Sequence, residues 1–262
     1  MLVEKSVIFF DIDGTLLTED KSLPESAKKA IQQLKSDGHE VAIATGRAPF
    51  MYKELREELG IDTYVSYNGQ YVVVKGEVIY TNPLNEIEIE KFTEDAVKHG
   101  HPVVYMNHEE MKANVTEEHA YIQESISSLK IYQMPSHDPE FYKGRDIYQA
   151  LLFCAEGEET VYENQYDGLH FVRWHPVSLD IVPSGGSKAV GIAKVMEKLN
   201  YPKERQYAFG DGFNDVEMLS EIHNSVAMGN AEPEVKEKAK YVTKHVDDDG
   251  LVHGLQMVGL LK

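Results

Sequence analysis

The sequence has few of the residues that a disulfide framework, a membrane span or a nucleic-acid interface would need. Its one cysteine, Cys154, cannot form an internal disulfide, which suits a reducing compartment. Only 26 basic residues stand against 44 acidic ones, and the formal charge of −18 opposes DNA or RNA binding because phosphate counterions need cations to replace them. Apolar runs such as 7–10 and 71–74 are far shorter than the roughly 20 residues that cross a bilayer. We therefore expect a cytoplasmic protein with no nucleic-acid or membrane partner.

Short apolar runs alternate with amphipathic stretches at both ends of the chain. Buried strands are predicted at 6–10, 41–44, 64–67, 207–209, 225–228 and 241–243. Helices are predicted between them, the first with Ser22 as its cap and Pro24 in its first turn, the second opening at Pro49. Strands that alternate with helices form parallel sheets with right-handed crossovers. The pattern predicts a doubly wound, mostly parallel α/β core built from both ends of the chain.

The middle of the sequence follows a different rhythm. Helices are predicted at 88–99, 117–129 and 158–165, and strands at 103–106, 149–153, 169–173 and 178–182. This mixture is typical of an α+β domain. We expect a discontinuous core at 1–82 and 185–262, with an inserted α+β domain at 83–184.

Two aspartates follow the first predicted strand, in the segment Asp11-Ile12-Asp13-Gly14-Thr15. Ligands of open parallel sheets gather beyond the carboxyl ends of strands. Asp11 and Asp13 stand two residues apart, so one carboxylate and one main-chain carbonyl can face the same ion, and Mg²⁺ favours such oxygen ligands. A calcium-binding EF-hand loop needs glycine at its sixth position, whereas Gly14 stands fourth. A solvated acidic turn is the remaining alternative.

A second acidic segment, Gly210-Asp211-Gly212-Phe213-Asn214-Asp215, follows the strand predicted at 207–209. Asp211 is expected to meet Asp11 across neighbouring strands, which lie about 4.8 Å apart in a sheet. Asn214 or Asp215 could instead simply cap the next helix.

Two further polar loops follow the same pattern. Thr45-Gly46-Arg47 comes after the second strand and offers a hydroxyl and free amides before a helix, which together favour an anion, although such a tripeptide is usually only a turn. Lys188 stands in the first turn of a helix, where a cation is mildly unfavourable against the helix dipole. A nearby anionic group would explain this position, and a surface lysine is the alternative.

Together the four loops resemble the four motifs of the haloacid dehalogenase superfamily, namely Asp-x-Asp-Gly-Thr, a Ser/Thr, a Lys and Gly-Asp-x-x-Asn-Asp. The match covers the whole core in chain order. Asn68-Gly69 after the third strand, and the insert between Thr45 and Lys188, make the chain similar to the Cof-type branch with a type IIB cap. The segment 184–187 is a looser version of the usual loop before the lysine. The resemblance implies a Rossmannoid core and, at 83–184, a type IIB cap domain that closes over the site and selects the leaving group.

The resemblance also implies a role for each motif residue. Asp11 would be the nucleophile that forms an aspartyl-phosphate, and Asp13 would protonate the leaving alkoxide and later deprotonate water. Mg²⁺ would be held by Asp11, the main-chain carbonyl of Asp13 and Asp211, with further ligation or support from Asp215. The expected phosphate-binding residues are Thr45, Gly46, Lys188 and Asn214, and the candidate substrate contacts are Arg47 and Asn68.

These roles imply a Mg²⁺-dependent phosphatase that hydrolyses a small phosphomonoester, either a sugar phosphate or a phosphorylated cofactor. A phosphosugar mutase that uses the same intermediate is one alternative, and a sensor that binds a phosphate ligand without turnover is another. The expected partner is a small-molecule substrate, and no oligomeric state is predicted.

Other polar features are interpreted as structural. The 11 histidines show no metal-ligand spacing, and Asp247-Asp248-Asp249-Gly250 is expected to form a solvated turn. Arg173, Trp174 and His175 are expected to form a packed tryptophan with polar neighbours, with contact to the leaving group as the alternative.

Overall fold

The computed structural model describes residues 4–115, 119–130, 133–162 and 164–262. The chain divides into two compact units. Unit 1 comprises Met1–Arg47, Tyr52–Tyr80 and Ser187–Lys262, and unit 2 comprises Ala48–Met51 and Thr81–Gly186.

Strands and helices are numbered along the whole chain. The strands are β1 (Val7–Phe10), β2 (Glu40–Ala44), β3 (Thr63–Ser66), β4 (Tyr71–Val74), β5 (Glu77–Thr81), β6 (Val103–Met106), β7 (Met111–Ala113), β8 (Ser136–His137), β9 (Gln149–Leu152), β10 (Leu169–His175), β11 (Ser178–Pro183), β12 (Gln206–Gly210), β13 (Asn224–Ala227) and β14 (Tyr241–Val242). The α-helices are α1 (Glu25–Ser36), α2 (Lys53–Leu59), α3 (Glu86–His99), α4 (Ala120–Ser128), α5 (Lys188–Leu199), α6 (Val216–Glu221), α7 (Pro233–Lys236) and α8 (Gly250–Met257).

Unit 1 is built on an eight-stranded sheet in the order β14-β13-β12-β1-β2-β3-β4-β5. The strands from β14 to β3 pair in parallel, and β4 pairs antiparallel with β3. The chain leaves β1 toward β2 and later returns on the other side at β12. The carboxyl ends of β1 and β12 therefore form a switch point, where open sheets bind ligands.

The central strand β1 is buried on both faces, which explains its continuous apolar sequence. Ile8 and Phe10 pack in one hydrophobic cluster with the apolar side of α1, and Val7 and Phe9 pack in another with Ile192 of α5. Helices therefore cover both faces of the sheet. The predicted α/β class with a doubly wound, mostly parallel sheet is confirmed.

Helix boundaries differ from the predictions where local hydrogen bonds compete with capping. The first helix begins after Pro24, which takes the N-cap position, because the Ser22 hydroxyl is used by a loop around Thr18 and Asp20. The second begins as a 3₁₀ turn at Pro49–Tyr52 and becomes α-helical only at Lys53–Leu59.

Unit 2 contains a six-stranded sheet in the order β10-β11-β9-β6-β7-β8. The sheet packs on α3 in one hydrophobic cluster, to which Phe92 and Ala96 of the helix and Tyr105, Leu152 and Ile181 of the strands belong. Strands β7 and β8 were not predicted, since three and two residues are too short to show an alternating pattern.

Two predicted helices of unit 2 are shorter in the structure. The start of the helix predicted at 117–129 lies outside the described residues, and α4 begins at Ala120. The helix predicted at 158–165 is a 3₁₀ turn, Glu158–Tyr162, whose acidic side chains accept hydrogen bonds from the preceding main chain, and Glu163 is also outside the described residues. Among the helices of the described ranges, none has the length and apolar character needed to cross a membrane.

Candidate active site

Three carboxylates of unit 1 lie together at the carboxyl ends of β1 and β12. Asp11 follows β1 directly, and its main-chain N–H donates to the Phe209 carbonyl of the neighbouring strand at 3.0 Å. Oxygens of Asp11, Asp211 and Asp215 lie within 4.8 Å of one another. The structure therefore brings together the two acidic segments that stand 200 residues apart in the sequence.

Lys188 supplies the positive charge of this cluster. Its side chain is 0% exposed, and its Nζ lies 2.5 Å from Asp11 Oδ1 and 2.7 Å from Asp215 Oδ1. Burial lowers the pKa of Lys188, but the charges of Asp11 and Asp215 more than offset it and leave the pKa raised. Lys188 is thus a buried cation, and the alternative of a surface lysine is wrong.

Asp215 holds the loop after β12 in its conformation. Its Oδ2 accepts hydrogen bonds from the main-chain N–H groups of Asp211 at 3.0 Å and Gly212 at 2.9 Å, while its Oδ1 faces Lys188. Asp215 precedes α6 but bonds to this loop rather than to the helix. Asn214 does not occupy the N-cap position of α6, and its amide donates to Asn68 Oδ1 at 3.1 Å.

Asp211 is held by neutral donors. Its Oδ1 accepts from the Thr15 hydroxyl at 3.1 Å, and its Oδ2 accepts from Asn230 Nδ2 at 3.0 Å. Burial, with the nearby charge of Asp215, raises the pKa of Asp211 to about 6. Burial also raises the pKa of Asp11, by more than the charge of Lys188 lowers it. Asp11 and Asp211 therefore have less positive charge around them than their ionised forms require.

The donor set fits a hard divalent cation. Carboxylate oxygens are the ligands that Mg²⁺ prefers, and the cluster offers three within a span of 4.8 Å. A bound cation would favour the ionised forms of Asp11 and Asp211, whose pKa values burial raises.

Asp13 lies outside this cluster, and its side chain is paired with two cations. Arg47 donates from Nε and Nη2 to the two carboxylate oxygens, each at 2.7 Å, and Lys21 Nζ lies 2.6 Å from Oδ1. Burial raises the pKa of Asp13, but the hydrogen bonds and charges of Arg47 and Lys21 more than offset it and leave the pKa lowered. This side-chain placement is compatible with a main-chain role for Asp13 at a metal.

The loops after β2 and β3 interlock at the same edge of the sheet. Thr45 is buried, and its hydroxyl accepts from the Arg47 N–H at 3.1 Å. Asn68 donates its main-chain N–H to the Thr45 carbonyl at 3.0 Å and adopts a left-handed φ of 50°. A Cβ at Gly46 would lie 3.0 Å from Asn68 Nδ2, so glycine allows this close approach.

Lys21 and Asn230 were not predicted from the sequence. Asn230 donates to Asp211, and Lys21 pairs with Asp13, so both contact residues that were predicted to lie in the site. Asp211 directly follows β12, and Asn230 stands three residues after the end of β13, the next strand of the sheet. A polar residue after another parallel strand was a signal available for Asn230.

Two of the segments interpreted as structural make contacts of their own. Arg173 of unit 2 pairs with Glu159 at 2.8 Å and donates to nearby main-chain carbonyls, as expected for a packed segment. Asp247 lies in a 3₁₀ turn, Val246–Asp248, two residues after His245, and ligand atoms of Asp247, His245 and Glu19 lie within 4.8 Å of one another, a grouping with a distant residue that the sequence spacing did not indicate.

Comparisons with known proteins agree with this geometry. YkrA of Bacillus subtilis (strain 168) is 48% identical over 260 residues, which cover 99% of this chain and 100% of YkrA. A protein of Geobacillus kaustophilus HTA426 with a crystal structure shares 52% identity and a TM-score of 0.94, covering 98% of this chain and 100% of that one. BT4131, a sugar phosphatase of haloacid dehalogenase subclass IIB, shares 29% identity and a TM-score of 0.83, covering 98% of this chain and 100% of its own. Residues 8–255 match the family model for haloacid dehalogenase-like hydrolases. The chain therefore belongs to the haloacid dehalogenase-like hydrolase family.

Proposed function

We propose that this hydrolase is a Mg²⁺-dependent phosphatase that cleaves a small phosphomonoester through an aspartyl-phosphate on Asp11. The observation that carries the proposal is the position of Lys188, 2.5 Å from Asp11 in a buried cluster with Asp211 and Asp215. Lys188 fixes the orientation of the Asp11 carboxylate through its Oδ1 oxygen. Its positive charge can also neutralise a phosphoryl oxygen that binds next to Asp11. Fixed geometry and charge neutralisation are the main requirements of phosphoryl transfer.

The residues that would hold Mg²⁺ are Asp11, the main-chain carbonyl of Asp13, and Asp211, with Asp215 as a further ligand or as support. When bound, the ion would neutralise negative charge on the phosphate and on the carboxylates. Asp215 supports this arrangement by fixing the 211–212 main chain and Lys188 together.

Asp13 is proposed to protonate the leaving alkoxide and then to accept a proton from the attacking water. Its carboxylate is oriented by three hydrogen bonds from Arg47 and Lys21. Donors on both oxygens leave the carboxylate little rotational freedom, which is what an acid–base group that must meet one oxygen atom requires.

The proposed phosphate-binding residues are Thr45, Gly46, Lys188 and Asn214, and Arg47 and Asn68 are proposed to contact the substrate. The linked loops after β2 and β3, and the hydrogen bond between Asn214 and Asn68, support their common placement at one edge of the sheet. The charge of −18 does not oppose a phosphate here, since repulsion between exposed charges is screened over about 8 Å at physiological salt.

We assign a sugar phosphate or a phosphorylated cofactor as the substrate class, and BT4131, a sugar phosphatase, supports the first. The segment 83–184 is proposed to be the type IIB cap that selects between such leaving groups. The protein is proposed to act in the cytoplasm.

Phosphate release from a panel of sugar phosphates and phosphorylated cofactors, with Mg²⁺ and with EDTA, tests this function. Release from at least one substrate is expected with Mg²⁺ and not with EDTA. Asp11→Asn removes the proposed nucleophile and should release no phosphate. Its matched control is Asp62→Asn, at an exposed aspartate of unit 1, which should keep full activity. An isomerised phosphate product would instead indicate a mutase, and binding without release across the panel would indicate a sensor.

A further inference from the structure

Asn230 links three segments of unit 1 through one amide group. Its Nδ2 donates to the Gly14 carbonyl at 2.9 Å and to Asp211 Oδ2 at 3.0 Å, and its Oδ1 accepts from the Val246 N–H at 3.0 Å. Both hydrogens of the NH₂ group and the carbonyl oxygen are therefore in use. The Val246 N–H must face an acceptor, so this network fixes which end of the amide points at Asp211.

The loop that carries Asn230 is held firmly by main-chain contacts. Met228 donates to the Gly210 carbonyl at 2.9 Å, and Gly229 donates to the Lys244 carbonyl at 2.8 Å. A Cβ at Gly229 would overlap the main chain of Lys244 and His245, so the two segments approach as closely as glycine permits. Asn230 therefore projects from a rigid support.

Asn230 contacts one of the groups proposed to hold the metal and the residue that follows another. One is the Asp211 carboxylate. The other is the turn at Asp13 and Gly14, since the Gly14 carbonyl follows the main-chain carbonyl of Asp13 in the chain. Gly14 has a φ of 77°, and a Cβ there would overlap the Asp211 carboxylate. The turn and the carboxylate are thus packed against each other, with Asn230 bonded to both.

The two side chains that donate to Asp211 carry no charge, which bears on how it can bind a cation. Asp13 is paired with Arg47 and Lys21, and Asp11 shares Lys188 with Asp215. Asp211 instead accepts from the hydroxyl of Thr15 and the amide of Asn230. Neutral donors orient a carboxylate without cancelling its charge, so the charge of Asp211 remains available to an ion.

We propose that Asn230 is a positioning residue for the divalent cation, which holds the Asp211 carboxylate and the Asp13–Gly14 turn at the separation that the cation requires. This inference rests on the proposed Mg²⁺ site. Groups that orient metal ligands typically change metal affinity by about 10- to 100-fold when they are removed.

Calorimetric titration of Mg²⁺ into the metal-free full chain tests the inference without any substrate. Asn230→Ala should raise the Kd for Mg²⁺ by about 10- to 100-fold. The matched control is Asn224→Ala, at the opposite end of β13, where Nδ2 likewise bonds two acceptors, the carbonyls of Glu204 at 3.0 Å and Gln206 at 3.2 Å. The control should bind Mg²⁺ as the wild type does. If Asn230→Ala does not fold, Asn230→Ser replaces it, because a hydroxyl supplies one donor where the amide supplies two, and weaker binding is again expected.

A second readout is the Mg²⁺ concentration needed for half-maximal phosphate release. It should shift upward in Asn230→Ala by a similar factor, while kcat at saturating Mg²⁺ returns close to the wild-type value. An unchanged Kd in a folded Asn230 variant, with normal binding in the wild type, would overturn this inference and leave the proposed function standing. Absence of Mg²⁺ binding in the wild type would instead contradict the proposed function itself.

Discussion

Replacing Asp211 by asparagine should stabilise the metal-free protein, even though Asp211 lies at the centre of the candidate site. Burial and the charge of Asp215 raise its pKa from 3.8 to about 6. A carboxyl group whose pKa is higher in the folded than in the unfolded state favours folding when it is protonated. The free energy of unfolding of the metal-free wild type should therefore fall as the pH rises from about 4 to about 6.

The magnitude follows from the size of the shift. Two pKa units at about 1.4 kcal/mol each correspond to roughly 3 kcal/mol. The free energy of unfolding of the wild type falls by this amount over the interval and stays at the lower value at pH 7. Asparagine has the same shape and does not titrate. Its carbonyl can still accept from Asn230, and its NH₂ can donate to the Thr15 hydroxyl, so a hydrogen bond to each of the two present partners can form.

Urea unfolding of both proteins in EDTA, at several pH values between 4 and 8, measures the effect. Asp211→Asn should be more stable at pH 7 by up to about 3 kcal/mol, and the two curves should converge near pH 4. Mg²⁺ at 100 times its Kd should raise the free energy of unfolding of the wild type by about 2.7 kcal/mol and that of the variant by much less. The difference in stability between the two proteins should therefore be smaller with Mg²⁺ than in EDTA. A variant that is less stable than the wild type at pH 7 in EDTA, or a difference independent of pH, would refute the reasoning.

Three further predictions concern other charged groups. Lys188→Met should lower the free energy of unfolding at pH 7 by about 3–5 kcal/mol in urea titrations, because it leaves buried carboxylates without their cation, and a loss below 1 kcal/mol would contradict this. Lys21→Met should lower kcat/KM for an alkyl phosphate more than for p-nitrophenyl phosphate, whose leaving group departs without a proton, and an equal loss on both would contradict a role through Asp13. Burial raises the pKa of Asp180 from 3.8 to about 7, so Asp180→Asn should raise the thermal unfolding midpoint at pH 8 and change it little at pH 4, and a shift that is equal at both pH values would contradict the assignment.

The sequence predicts the core of unit 1 well because buried parallel strands have a distinctive pattern. The segments 7–10 and 41–44 are continuous apolar runs, and they lie in the two adjacent strands β1 and β2. Asp11 and Asp211 each follow a strand of this kind, and this position was enough to predict that their side chains lie close together at one edge of the sheet.

Contacts between residues distant in sequence could not be predicted in the same way. The position of Lys188 in a first helical turn leaves open whether its side chain points to solvent or into the protein, and only the folded chain places two carboxylates around it. The same holds for Lys21, which reaches Asp13 from a loop residue with a φ of 66°. A strand as short as β8 shows no periodic pattern in the sequence. The sequence also does not reveal that the Ser22 hydroxyl bonds to Asp20 instead of capping a helix.

The measurement that tests the central claim most directly is the mass of the protein itself during turnover. Wild-type protein mixed with excess substrate and Mg²⁺, quenched in acid within milliseconds and digested, should yield the peptide containing Asp11 heavier by one phosphoryl group. Asp11→Asn should yield the unmodified peptide and release no phosphate, whereas Asp62→Asn should behave as the wild type does. Phosphate release by Asp11→Asn at a substantial rate, or a phosphoryl group on a different residue, would contradict the account.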